Sequence, residues 1–416
     1  MSQAFLSMLE AGRRRLTNID KIVEFLTGLG VPPELAPLPL PRRAHQPRNP
    51  YSGDLDPSLP WTASRMVAAL GTAVGGSTMD RRRFLTVSGL ALTAFVHHWS
   101  TAEAEPLVRA AAGSRLTHEL LDSLQGTTDN LRSMDASAGS GTLADLGDAH
   151  LLFLKRLVEQ GSYGEDTGRR LAAIIADTAI QTGWFAFDAG DRDHTPAYLF
   201  AALRAARASG DVRLGVGALS YLAIHGYSTG APRNAVTAAQ AAREKIKRLG
   251  APALEAMLLT RQARGHAKLG ERQAAFTALG QAAELCAQGR SECDPHWLYW
   301  VNEGEIHGQA GSCFLDLGEP HRAVTSLTKA HDALNPSDQR TRGLFLCRAA
   351  SAHLRQGDVD AGCDTAHRAL DLAEQLQSAR LNEHIETMLS DLQPLGNATY
   401  AQELLDRAAA VTGAGN

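Results

Sequence analysis

From about residue 106 to the C-terminus, apolar and polar positions follow the period of a helix, and near-regular glycines break the apolar stripes. Gly190, Gly230, Gly270, Gly318 and Gly357 recur at intervals of 40, 40, 48 and 39 residues. Seven residues before each stands Gly183, Ala223, Ala263, Gly311 or Ala350, and twelve after stands Ala202, Ala242, Ala282, Ala330 or Ala369. Five residues after, the chain offers Thr195, Ala235, Ala275, Ala323 and Gly362. Helices cross closely only where side chains are small, and glycine supplies the φ > 0 turn that ends one helix and lets the next begin. The pattern predicts an all-α fold, a right-handed solenoid of antiparallel helix pairs over residues 106–416.

The turns after these glycines read Gly190-Asp191, Gly270-Glu271, Gly318-Glu319 and Gly357-Asp358, whereas Gly230 is followed by Ala231-Pro232. With the copy GQAGSCFLDLGEPHRAVTSLTKAHDALNP, which carries Gly311, Phe314, Gly318, Ala323, Leu327, Ala330 and Pro336, the pattern resembles the tetratricopeptide repeat. The longer period implies helices extended by about one turn. In that family the first helix of each pair lines a concave face. On that register the resemblance implies a groove carrying Trp184, Phe187, Tyr227, Arg264 and His307. The longest interval, Gly270 to Gly318, adds a stretch with Trp297, Tyr299 and Trp300 in a chain only 6% aromatic. Aromatic anchors of this kind are enriched where partners bind, so these three join the groove.

Ahead of the repeats the pattern changes. Residues 1–35 read as a small amphipathic helical unit, and 36–62 hold seven prolines from Pro37 to Pro60, too dense for a helix, which predicts an extended linker. Helical signals resume over 63–105, and the stretch MDASAGSGT at 134–142 predicts a flexible loop within the array. The first segment has Ser2 to Glu10, a turn Glu10-Ala11-Gly12-Arg13, an apolar helix around Ile19, Ile22, Val23 and Leu26, and then Leu29-Gly30-Val31-Pro32. It resembles the back half of a Cro/repressor helix-turn-helix domain of the xenobiotic-response-element type. The resemblance implies that Gln3, Ala4 and Met8 face base edges and that Arg13, Arg14 and Arg15 sit near phosphates. The family's first two helices would lie upstream of Met1, so weak binding to DNA is expected of the chain as it stands.

Residues 79–106 carry Arg81-Arg82-Arg83-Phe84-Leu85, an apolar run to Val96 and Ala102-Glu103-Ala104. They resemble a twin-arginine export signal. The same tract works as a buried helix with the arginines in its first turn, and actinobacterial-type regulators that join a helix-turn-helix to tetratricopeptide repeats carry such a tract at this junction. A chain starting near Met79 would be an exported binding protein. The internal-helix reading keeps the chain in the cytoplasm.

A net charge of −4 gives no global basic field, so contact with DNA needs a local patch. Five cysteines without CxxC pairs read as reduced thiols, and the spacing of Cys286, Cys293 and His296 fits no common zinc module. No GxSxG, Walker-type or HExxH motif is present, and Glu303 and Glu305 read as a solvated helix face. The expectation is a non-enzymatic regulator without metal or cofactor. Its solenoid would bind a peptide, protein or small-molecule signal and control DNA binding, with room for a homodimer. A protein-interaction scaffold with an inert N-terminus is the alternative.

Overall fold

The computed structural model describes residues 54–75, 89–103, 105–109, 115–138, 140, 143–376, 378–395 and 399–412. The DNA-contact candidates Gln3, Ala4, Met8, Arg13, Arg14 and Arg15 lie outside these, as do residues 81–85 and most of the proline-rich tract. The chain divides into two compact units, Met1–Asn49 and Pro50–Asn416, of which the second is described.

Sixteen α-helices and two short 3₁₀ turns make up the described secondary structure; its only β pairing is two isolated bridges. Four helices lead: α1 (Ala63–Gly75), α2 (Gly89–Thr101), α3 (His118–Ala138) and α4 (Leu143–Gln160). Six antiparallel pairs follow: α5 (Glu165–Asp188) with α6 (Thr195–Ser209), α7 (Val212–Ser228) with α8 (Pro232–Ile246), and α9 (Pro252–Lys268) with α10 (Arg272–Ala287). After a loop come α11 (Glu303–Asp316) with α12 (Pro320–Ala333), α13 (Gln339–Arg355) with α14 (Val359–Ala373), and α15 (Ala379–Leu392) with α16 (Thr399–Thr412).

The glycine rule holds in the backbone. φ is +94° at Gly190, +83° at Gly230, +73° at Gly270 and Gly318, and +89° at Gly357, a region that L side chains rarely adopt. The small positions sit where helices touch. Ala223, Ala263 and Ala350 are fully buried, as are all five alanines twelve residues after the glycines. A Cβ on Gly311 would come within 2.5 Å of the Leu327 side chain. The Ala231-Pro232 exception is accommodated because Pro232 opens α8, where its missing N–H costs nothing. The long period is carried by helices of 17 residues at α7, α9 and α13.

The first helices of successive pairs stack on one another, α5 on α7 on α9 on α11 on α13 on α15. The stack curls far enough that α15 returns to α5 and α13 to α3. Arg192, just after α5, pairs with Glu383 on α15. A Cβ on Gly190 would lie 3.2 Å from that of Ala379. The repeat is therefore closed into a ring about an axial lumen.

Two local expectations are corrected. Residues 134–138 belong to the end of α3 rather than to a loop, because Asp135 is buried there and bonded. The last residues of the proline-rich tract are docked: Leu55 is buried, and the Arg204 guanidinium donates to the carbonyls of Asp56 and Pro60. The extra residues between Gly270 and Gly318 form a loop with one 3₁₀ turn, His296–Leu298. Asp294 of that loop accepts from the backbone N–H groups of Ala253 and Leu254, capping α9, which lacks a capping side chain of its own.

The junction region shares the core of the repeats. Phe95 of α2 stacks on Phe200 of α6 with ring centroids 3.9 Å apart, and Trp99 fills the space left by Gly215 of α7.

Candidate functional site

The lumen is lined by α3, by the first helix of each pair, by the loop around Trp297 and by Leu334 and Asp338 of the α12–α13 connection. Its volume is about 130 Å³, well above the roughly 10–15 Å³ that a single water requires. Toward Asp129, Ser133 and His296 a second cavity shares Arg132, Trp297, Tyr299 and Asp338 with the first, forming an outer vestibule.

Trp184 of α5 organises one wall. Its indole N–H donates to the Asp135 carboxylate at 3.0 Å, tying α5 to α3. Two guanidinium groups from across the seam face its π-system, Arg340 of α13 at 5.1 Å and Arg380 of α15 at 5.2 Å. Arg340 also bonds Asp135 and lies 3.7 Å from Asp188, whose side chain is fully buried. These carboxylates raise the Arg340 pKa against the cost of burial. Across the lumen Arg261 of α9 reaches Glu305 of α11 at 3.5 Å and lies over the Trp300 ring at 5.4 Å. Burial and the nearby Asp135 push the Tyr221 phenol up to about 12.

The charges are segregated. Burial first, and then Glu305, raise the Asp338 carboxyl pKa. At the other end Arg348 of α13 bonds only Ser312, and burial together with Arg264 pushes its guanidinium down to about 9. Burial lowers Arg380 too, and His384 of α15 is held well below its usual value by burial and then by Arg348 and Arg380. Among the described residues, neither Arg348 nor Arg380 forms an ion pair with a carboxylate. Both are only half-buried, because their head groups open onto the lumen.

Of the residues singled out from sequence, Trp184, Tyr227, Trp297, Tyr299 and Trp300 line this one cavity. Phe187 does not; it is core, packed against Trp184 and His225. Arg264 lies behind the wall, 2.7 Å from Asp316 and beneath the Tyr227 ring. His307 points the other way, into a separate cleft with Ala253 and Cys286. Glu305 and Gln309 face the lumen, and a residue two positions along a helix is turned by about 200° from its neighbour's face. Glu305 is thus a buried, paired acid rather than part of a solvated face, whereas Glu303 is exposed.

Sequence reasoning passed over Arg340, Arg348, Arg380 and Asp135, since isolated charges on amphipathic helices ordinarily mark solvent. Among the described residues no cluster of His, Cys, Asp or Glu could hold a metal, and no helix is long and apolar enough to cross a membrane. Comparison of the chain with protein-family models and with curated proteins returns no match.

Proposed function

We propose that this chain is a signal-responsive regulator whose axial lumen binds a peptide or small molecule and whose N-terminal segment acts on DNA. The observation that carries the first half is the delivery of aromatic and charged side chains into one interior cavity by every first helix. Charges are expensive to bury and ordinarily excluded from a core, so a lumen built of them is a recognition surface. An interior chamber of about 130 Å³ favours a small molecule or a few residues of peptide over a folded partner.

The second half rests on the helix-turn-helix resemblance of residues 1–35. Occupancy of the lumen would favour one curvature of the ring over another, and a coupling of about 1–3 kcal/mol would change DNA affinity roughly 5- to 150-fold. Residence in the cytoplasm is supported by the place of α1 and α2 in the core, because cleavage near Glu105 would strip both from it.

The test is DNA crosslinking and sequencing of the protein expressed from its own locus. Discrete occupied sites that vanish when Arg13, Arg14 and Arg15 are changed to Ala are expected. Absence of discrete sites would remove the DNA half and leave an interaction scaffold.

A further inference from the structure

Five arginines and three acids line the lumen. Three of the arginines are neutralised: Arg132 by Asp129 and Asp177, Arg261 by Glu305, and Arg340 by Asp135 and Asp188. Arg348 and Arg380 remain, on adjacent first helices, with the charge of Arg380 acting on Arg348 and, among the described residues, no carboxylate bonded to either. The carboxylates that act on them from a distance, Asp316 on Arg348 and Asp188 on Arg380, are engaged by other cations, Asp316 by Arg264 and Lys268 and Asp188 by Arg340. Two half-buried like charges repel, and an anion placed between them relieves that repulsion. Beside them are flat apolar surfaces: Trp184 beneath Arg380, then Tyr227, Leu344 and Phe345.

We propose that Arg348 and Arg380 are the anion clamp of the lumen, and that its ligand is a small molecule with a carboxylate or phosphate head and a flat apolar body. Guanidinium forks match both heads in geometry as well as charge. The body lies along the Trp184 and Phe345 wall, and the anion replaces the carboxylate that neither arginine has. The inference rests on the lumen being a binding chamber and adds the chemical class of its occupant.

The experiment titrates the full chain by calorimetry with three probes of similar size: phenylacetate, phenyl phosphate and the neutral phenylacetamide. At least one anion is expected to bind at one site per chain about tenfold or more tightly than the amide, and the tighter of the two names the head group. Arg348→Met with Arg380→Met should bring the anions down to the level of the amide. Equal binding of all three probes would overturn the clamp while leaving the lumen a binding chamber, whereas failure of every probe to bind would overturn both. A control separates recognition from architecture. No carboxylate loses a bonded partner in Arg380→Met, so the ligand-free variant should melt no lower than the wild type. A marked fall would make Arg380 structural and refute its place in the clamp.

Discussion

Asp135 ties together three parts of the chain far apart in sequence, and changing it to Leu tests the closure of the ring. Its carboxylate accepts from the Trp184 indole, from Ser140 and from Arg340, whose side chain is 11% exposed. Removing one partner of a buried ion pair costs about 3–5 kcal/mol, because the other charge is left without compensation. The orphaned indole N–H adds about 1–3 kcal/mol. Asp188 at 3.7 Å recovers part of the loss for Arg340, so a total near 4 kcal/mol is expected, a large share of a typical folding free energy of about 5–15 kcal/mol. Arg340→Leu should cost more than Asp135→Leu, since it orphans Asp135 and Asp188 together, and Asp188 has no hydrogen bond of its own. In the double variant the charges left by each single change disappear in part, so its cost should fall short of the sum by at least about 1 kcal/mol. Urea unfolding followed by far-ultraviolet circular dichroism reads the stabilities, with hydrogen exchange on α3, α5 and α13 to detect partial opening of the array. Single variants within about 0.5 kcal/mol of the wild type, or strictly additive costs, would refute a buried network at the seam.

Four further outcomes are expected. Gly311→Ala should destabilise by about 1–3 kcal/mol in the same unfolding assay, because its Cβ would sit 2.5 Å from Leu327; a neutral result would show that α11 and α12 cross less closely. Stability should fall as pH drops below about 6.5, because burial holds His150, His225 and His384 neutral in the folded chain while the unfolded chain takes up protons there; unfolding free energies that are flat between pH 7.5 and 5.5 would contradict this. A thiol reagent should label exposed Cys293 first and Cys286 more slowly, while Cys313 and Cys347, buried and with pKa values pushed up to about 11 and about 12, react only on unfolding; peptide mapping after timed quenching checks the order. Affinity for duplex DNA should drop steeply as salt rises and fall again when Arg13, Arg14 and Arg15 are changed to Ala, and binding that is indifferent to both in a mobility-shift assay would show that the N-terminal reading is mistaken.

What could be read from the sequence is what depends on neighbours along the chain. Each glycine turn is local, and the small residues at fixed offsets report a helix crossing its own partner, so Gly318, Ala323 and Ala330 predict α11, α12 and their contact without knowledge of anything distant. The first-helix register of the groove was legible for the same reason, and it brought Trp184 and Tyr227 to the lumen. It slipped at Phe187, Arg264 and His307, where a step of two or three residues rotates a side chain off the inner face. Ring closure was not legible. Asp135 and Arg340 are 205 residues apart, and no local pattern marks an arginine as destined for an interior created by the curvature of six stacked pairs. Asp294 escaped for a related reason: it caps a helix that begins 42 positions earlier, at Pro252, and a cap is recognisable only beside the helix it serves.

Closure also changes how the array comes apart. An open stack of repeats frays from its ends, each pair leaving at the cost of one interface. Here the last pairs are pinned to the first, so α15 cannot leave without also breaking Arg192 to Glu383, nor α13 without breaking Arg340 to Asp135. Making the second contact in an unstructured chain would mean closing a loop of 205 residues, an entropic cost of roughly 5 kcal/mol on the (3/2)RT ln n scaling. Once the intervening pairs have stacked, their curvature has already brought the ends together and nearly all of that cost has been met. Folding should therefore proceed by extension along the stack with the seam forming last, and unfolding should lose the seam and the terminal pairs in one cooperative step.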